Sequence, residues 1–181
     1  MAGLRKCAAY SKKKVVPYTR KSRRKGKAYV KTVPPVGIIK YSMGKENFFN
    51  EGKFPFELNL IADENVQIRD SALESCRQLI NKQLDKNFNG QYFFRIVPYP
   101  HHMQRENKMF SGGSKGERVN TGMSLSFGKT IDRAAIVKKD DVIFFVAVAN
   151  KKAEKEARRL FHIVKSKLPC TTRIVSEEKF K

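Results

Sequence analysis

The order and spacing of the apolar residues predict an α+β domain: a mostly antiparallel sheet with two helices packed on one face. The apolar residues Phe56, Leu58, Leu60 and Ala62 alternate with Glu57, Asn59 and Asp63, which is the period of a half-buried strand. Two later segments repeat apolar residues at helical spacing, and short β-rich runs lie between and after them. The order strand, helix, strands, helix, strand is typical of such a layered architecture.

The first helix is predicted from about Asp70 to Lys86. Ser71 and Glu74 have the spacing of a capping box, and Gly90 lies just beyond the expected end. The second helix is predicted from an Asn150 cap to about Lys167. The two apolar faces are Leu73, Cys76, Leu79, Ile80 and Leu84 in the first helix, and Ala153, Ala157, Leu160, Phe161 and Val164 in the second.

The remaining β-rich runs are expected to complete the sheet. They are Tyr92–Val97, His101–Met109, Gly122–Phe127, Ala134–Val137, Val142–Ala149 and Thr171–Val175. His101–Met109 and Gly122–Phe127 are expected to form a hairpin around a long glycine-rich loop, at about residues 110–122. From Ser111 to Gly122 the loop reads SGGSKGERVNTG, with four glycines and a single valine. A segment so poor in apolar surface is either functional or a simple mobile surface loop.

The charge of the chain is strongly basic and is concentrated at the N-terminus. The formal net charge is +21, and the first 45 residues contain fourteen Lys or Arg and no Asp or Glu. Tyrosines such as Tyr18 are spaced among the basic residues. A segment of one sign with interleaved aromatic residues suits phosphate contacts and stacking on exposed bases. We therefore divide the chain into an extended basic tail at residues 1–50, which binds nucleic acid, and a globular domain at residues 51–181.

Several other classes of function are disfavoured. No apolar run approaches the length of a membrane span, and the longest, Val142–Ala149, fits a buried strand. Three widely spaced cysteines form neither a disulfide framework nor a zinc pattern, which indicates a reducing compartment. Gly128-Lys129-Thr130 resembles the end of a phosphate-binding loop, but the first glycine of that motif would have to stand where Met123 is.

A metal or catalytic site is also disfavoured. The adjacent histidines His101 and His102 would point to opposite faces of a strand and could not easily share one ion. The serines and cysteines have no catalytic motif around them. We expect no enzyme activity, no cofactor, no metal and no small-molecule substrate.

Blocks of sequence along nearly the whole chain carry a family resemblance. They include Pro17-Tyr18-Thr19-Arg20, Ile39-Lys40-Tyr41-Ser42-Met43-Gly44, Val66-Gln67-Ile68-Arg69, Pro100-His101-His102 with Arg105-Glu106-Asn107-Lys108-Met109, and Gly116-Glu117-Arg118-Val119. In these blocks the chain resembles the large-subunit ribosomal protein family that is called "ten e" in archaea and eukaryotes and "sixteen" in bacteria. It is most similar to the archaeal form.

The resemblance implies a hammerhead-type α+β domain that is a structural constituent of the large subunit. It also implies a cytoplasmic, ribosome-bound protein whose partners are large-subunit rRNA, neighbouring ribosomal proteins and the tRNA acceptor arm near the A site and peptidyl-transferase centre. The candidate rRNA-binding residues are Lys12, Lys13, Lys14, Tyr18, Arg20, Lys21, Arg23, Arg24, Lys25, Lys27, His101, His102, Arg105 and Lys108. The candidate tRNA-proximal loop residues are Ser111, Gly112, Gly113, Lys115, Gly116, Arg118, Gly122 and Lys129.

The alternative is a free RNA chaperone, or an accessory protein of RNA modification, that uses the same fold. It would predict a substantial pool of the protein away from ribosomes.

Overall fold

A computed structural model of the protein describes Val30 and residues 32–106 and 129–178. The tail up to residue 29, the whole of the glycine-rich loop and the predicted strand Gly122–Phe127 lie outside these residues. The elements in chain order are β1 (Ser42–Gly44), α1 (Glu46–Asn50), β2 (Phe56–Ala62), β3 (Val66–Arg69), α2 (Asp70–Phe88), β4 (Tyr92–Ile96), β5 (His102–Glu106), β6 (Lys129–Val137), β7 (Val142–Val148), α3 (Lys151–Lys165) and β8 (Thr172–Glu178).

The strands form two antiparallel sheets. The larger has the order β1-β4-β7-β2-β8, and the smaller has the order β3-β6-β5. The strand β7 lies at the centre of the larger sheet, where Phe145 is opposite Asn59 of β2 and Arg95 of β4. A central strand with both faces covered explains why the sequence Val142–Val148 is apolar throughout rather than alternating.

The helices α2 and α3 pack against each other and against the larger sheet. Alternate strand residues such as Leu58, Phe94 and Phe144 are completely buried with them in one core. The predicted apolar face of α3, from Ala153 to Val164, is buried in full, and so is that of α2 apart from Leu79, which is partly buried. The α+β class and both predicted helices are therefore confirmed.

A smaller aromatic cluster lies on the opposite face of the larger sheet. Phe49 of α1 stacks on Phe93 of β4 at 5.0 Å between ring centroids and meets Phe145 of β7 edge-on at 5.3 Å. The buried Phe54 completes the cluster. The elements β1 and α1 lie within the 1–50 segment that the sequence assigns to an extended tail, and here they form part of the globular domain. The tail assignment stays a prediction for the residues before Val30.

The N-terminus of neither long helix has the predicted side-chain cap. Arg69 occupies the cap position of α2, and the Ser71 backbone N–H bonds instead to Asp70 Oδ1 at 2.7 Å. Glu74 does not reach back to the start of the helix, because its carboxylate is bound by Arg77. Asn150 is in the cap position of α3, but its side-chain amide donates to Gln91 Oε1 at 2.7 Å. The helix positions were predicted correctly and the capping contacts were not.

Candidate nucleic-acid interface

The strands β5 and β6 form the base of the glycine-rich segment. They are antiparallel, with Glu106 opposite Lys129, so residues 107–128 connect two neighbouring strand ends. Lys129 is exposed and Arg105 is partly exposed at this end of the smaller sheet. The described partner of β5 is β6 (Lys129–Val137), whereas the predicted partner, Gly122–Phe127, lies outside the described residues. A strand beginning at Lys129 also excludes a phosphate-binding loop there, since that motif requires a helix after the lysine.

The N-terminal segment meets β6 beside this base. Thr130 Oγ1 donates a hydrogen bond to the Thr32 carbonyl oxygen at 2.5 Å. Arg133 Nε donates to the Pro34 carbonyl oxygen at 2.7 Å. The chain therefore enters the described domain next to the position where the glycine-rich segment leaves it. As a result, the basic N-terminal segment and the glycine-rich segment connect to the domain at the same end of the smaller sheet.

Two carboxylates of α2 hold the segment that follows. Asp70 is buried, and its Oδ2 accepts the Gly37 backbone N–H at 2.8 Å. Glu74 Oε2 accepts the Ile39 N–H at 3.4 Å. Glu74 also forms a two-contact ion pair with Arg77, at 2.7 and 2.6 Å, and this pair holds the pKa of Glu74 below its usual value. These contacts fix residues 37–39 on the start of α2.

Asp132 of β6 lies close to Asp70 and has a raised pKa. Burial of Asp132 and its hydrogen bond to Asp70 raise its pKa to about 6. The Arg133 backbone N–H, which donates to Asp132 Oδ1 at 2.9 Å, and the charge of Arg69 oppose this rise. Two carboxyl groups that share a site in this way do not both ionise readily.

The two candidate histidines differ in their surroundings. His101 is exposed, and its ring lies 4.5 Å from that of Tyr99. Tyr99 also stacks on Tyr41 at 5.5 Å, so the three rings form a row. His102 is only 5% exposed and is opposite Ala134 in the smaller sheet. The side chain of His102 is therefore packed inside the domain, which leaves little of its surface for the predicted RNA contact.

Sequence reasoning did not find the partners of His101. Tyr41 belongs to residues 1–50, which the sequence assigns to the basic tail, and it is far from Tyr99 and His101 in the chain. Burial raises the pKa of Tyr41 to about 12, so its hydroxyl stays protonated at neutral pH. The spacing Tyr99-x-His101 was visible, but the third ring is 58 positions earlier and is joined to them only by folding.

The helix α3 carries a second basic surface. Lys151, Lys155 and Arg159 follow one another at four-residue spacing and are exposed, with Lys152 beside them. A nearby acid, Glu156, contacts Arg159 at 3.2 Å. This face lies on the far side of α3 from the core and offers several cations to a polyanion. The sequence shows the same residues, but only the burial of the opposite face establishes that they form a surface.

Most of the other candidate residues lie outside the described part of the chain. They are Lys12, Lys13, Lys14, Tyr18, Arg20, Lys21, Arg23, Arg24, Lys25, Lys27, Lys108, Ser111, Gly112, Gly113, Lys115, Gly116, Arg118 and Gly122. Among the described residues, no three His, Cys, Asp or Glu side chains are grouped so as to hold a metal ion. No helix in that part of the chain has the length and apolarity needed to cross a membrane.

Comparison with known proteins gives one family. The family model described as Ribosomal protein L16p/L10e matches residues 14–175. The chain is 39% identical over 163 residues to the large ribosomal subunit protein uL16 of Methanospirillum hungatei, covering 90% of this chain and 89% of that protein. It is 35% identical over 170 residues to the uL16 of Nanoarchaeum equitans, covering 93% and 90%. It is 36% identical over 183 residues to the uL16 of Pyrobaculum arsenaticum, covering 97% and 93%. The chain belongs to the L16p/L10e family of ribosomal proteins.

Proposed function

We propose that this protein is a structural constituent of the large ribosomal subunit. It binds large-subunit rRNA, contacts neighbouring ribosomal proteins and helps to position the tRNA acceptor arm near the A site and peptidyl-transferase centre. It acts in the cytoplasm, bound to ribosomes, and performs no catalysis of its own. The relatives support the first part, since each bears the name of a large ribosomal subunit protein.

The observation that carries the proposal is the meeting of two basic segments at one end of the smaller sheet. The contacts of Thr130 with Thr32 and of Arg133 with Pro34 bring the N-terminal segment to the base of the glycine-rich segment. Cations from both can then act on one region of RNA. Phosphate contacts of this kind supply affinity and position, and the shape of folded rRNA supplies specificity.

Within this proposal the two segments have different partners. The basic residues from Lys12 to Lys27, with His101, Arg105 and Lys108, contact rRNA. Lys129 and the residues from Ser111 to Gly122 lie toward the tRNA, where glycines allow backbone N–H groups to approach phosphates. The basic outer face of α3 is a further surface that can bind RNA, which supports contacts with RNA on more than one side of the protein.

The test is sucrose-gradient fractionation of source cells, followed by ultraviolet crosslinking and sequencing of the RNA bound to this protein. We expect the protein in the large-subunit fraction, with crosslinks in large-subunit rRNA near the region where tRNA is accommodated. A protein mostly at the top of the gradient, crosslinked to scattered or non-ribosomal RNA, would contradict the proposal and favour a free RNA chaperone.

A further inference from the structure

A groove lies between the end of β4 and the turn that joins β6 to β7. It is an open groove with a volume of about 560 Å³. One wall is formed by Val97, Tyr99 and His101, and the other includes Ile136 and Val142. Val97 is 50% exposed and Tyr99 is 42% exposed. The groove is near the start of β5, whereas the glycine-rich segment leaves from the other end of that strand.

We propose that this groove binds one unpaired nucleobase of rRNA, which stacks on the aromatic row of Tyr41, Tyr99 and His101. The inference rests on the proposed function and adds a specific contact to it. Single-stranded bases are commonly bound by stacking on aromatic side chains. Tyr41 and Tyr99 are already stacked, and the exposed ring of His101 lies at the end of this row, tilted by 48° from the ring of Tyr99. The apolar side chains Val97, Ile136 and Val142 can then contact the rest of a base in the groove.

The aromatic wall is fixed before any base arrives. Tyr99 contacts a ring on each of two neighbours, Tyr41 and His101. The His101 backbone N–H donates to the Tyr99 carbonyl at 2.9 Å, and the Ile96 N–H donates to the Tyr41 carbonyl at 2.8 Å. A ring held in this way loses little conformational freedom when a base stacks on it.

The opposite rim carries two carboxylates on a rigid turn. Asp140 and Asp141 both line the groove. The Asp140 N–H donates to the Ala62 carbonyl at 2.8 Å, and the Ala62 N–H donates to the Asp141 carbonyl at 3.0 Å. Asp140 Oδ1 accepts a hydrogen bond from Arg173 at 2.5 Å, and Asp141 Oδ2 accepts the Lys138 N–H at 2.8 Å.

This arrangement of charge favours a base over a phosphate. Asp141, and Asp140 within its ion pair with Arg173, present carboxylate oxygens at the rim of the groove. Such oxygens accept the amino and imino N–H groups of a base but offer no hydrogen-bond donor to a phosphate. Lys138 and Lys139 are exposed on the same turn, outside the groove. Within the described residues neither lysine side chain forms an ion pair, so both can contact the phosphates that flank the bound nucleotide.

The first test uses large subunits purified from source cells and irradiated at 254 nm. After digestion with nuclease and trypsin, mass spectrometry locates nucleotide adducts on peptides. Cleavage after Arg95 and Arg105 releases the site as one peptide, Ile96–Arg105. We expect an adduct on Tyr99 or His101. Adducts only on other peptides would overturn the inference but leave the proposed function intact. The same conclusion would follow if another protein, or residues 1–29, occupied the groove. Absence of the protein from the large subunit would instead refute the proposed function.

The second test measures base stacking by chemical probing at the nucleotide that the crosslink identifies. Subunits carrying His101→Leu are compared with subunits carrying His101→Phe, which retains an aromatic ring. The crosslinked nucleotide is probed with dimethyl sulfate and carbodiimide. We expect about tenfold higher reactivity in the leucine variant than in the phenylalanine variant, because the loss of stacking releases the base.

The matched control is Phe48→Leu, which removes an exposed aromatic ring from α1, a different part of the surface. Its subunits should show the reactivity of the unaltered protein at that nucleotide. Equal reactivity in the two His101 variants, or an equal increase in the Phe48 variant, would overturn the stacking site. Thermal unfolding of the isolated His101 variants should match that of the unaltered protein, since the side chain is exposed.

Discussion

The pair of acids Asp70 and Asp132 leads to a specific prediction about stability. Asp132 has a pKa of about 6 in the folded protein, compared with the ordinary value of 3.8. The folded state therefore binds this proton more tightly than the unfolded state, and stability falls as the pH rises from about 4 to 6. Above pH 6 the penalty for ionising Asp132 is fully present.

The predicted perturbation is Asp132→Asn. An asparagine oxygen can still accept the Arg133 N–H, which is 2.9 Å from Asp132 Oδ1, and its amide can donate to the Asp70 carboxylate. The pKa difference corresponds to at most about 3 kcal/mol. Because Asp132 is only partly buried and interacts strongly with the neighbouring Asp70, we expect about half of this. The variant should be more stable than the unaltered protein by about 1 to 2 kcal/mol at pH 8.

The assay is urea denaturation of both proteins between pH 4 and pH 8. At pH 4 the gain should be small, since Asp132 is protonated in the folded protein at that pH. The control is Asp63→Asn, which removes the same charge from a carboxylate that faces Arg173 at 2.8 Å. Because the chain has a net charge of +21, removing this negative charge should not raise the free energy of unfolding. The reasoning is refuted if Asp132→Asn gains as much at pH 4 as at pH 8, or if it loses stability at pH 8.

Four further predictions concern the domain and its basic segments. Glu74→Ala should lower the free energy of unfolding by about 3 kcal/mol, because it leaves Arg77 largely buried without its partner; an unchanged denaturation midpoint would contradict this. Gly44→Ala should prevent normal folding, since Gly44 has a φ of 88° and an added Cβ would lie 2.2 Å from the Tyr92 carbonyl oxygen; a cooperative thermal transition at the original temperature would disprove it. Binding of the isolated protein to rRNA should weaken by roughly 10³- to 10⁵-fold between 50 and 200 mM salt if six to ten phosphates are contacted, and a flat response would rule out the proposed role of the tail. Deletion of Ser111–Gly122 should leave the fold intact, as judged by circular dichroism, but impair tRNA binding by the ribosome; loss of soluble protein would show that the segment is structural.

The sequence identified the elements whose local pattern is strong. Apolar residues stand at every second position of the strand Phe56–Ala62, the strand Val142–Val148 is continuously apolar, and α3 repeats apolar residues on one face over four turns. Each of these patterns reflects burial against a neighbouring layer. The sequence therefore predicts the element even though it does not say which layer covers it. The strands β1 and β3 were missed because three and four residues are too few to show a period.

The basic character of the chain and its family were also determined by the sequence alone, because charge and motif order do not depend on folding. Only the tertiary structure decided how distant residues combine. Glu74 does not form the predicted capping box. Its carboxylate instead binds Arg77 and the backbone N–H of Ile39, which is 35 positions away. The tertiary structure also placed Tyr41 against Tyr99 and buried His102 beside an exposed His101. Such contacts depend on the register of strands and the packing of helices, and local propensity contains no information about either.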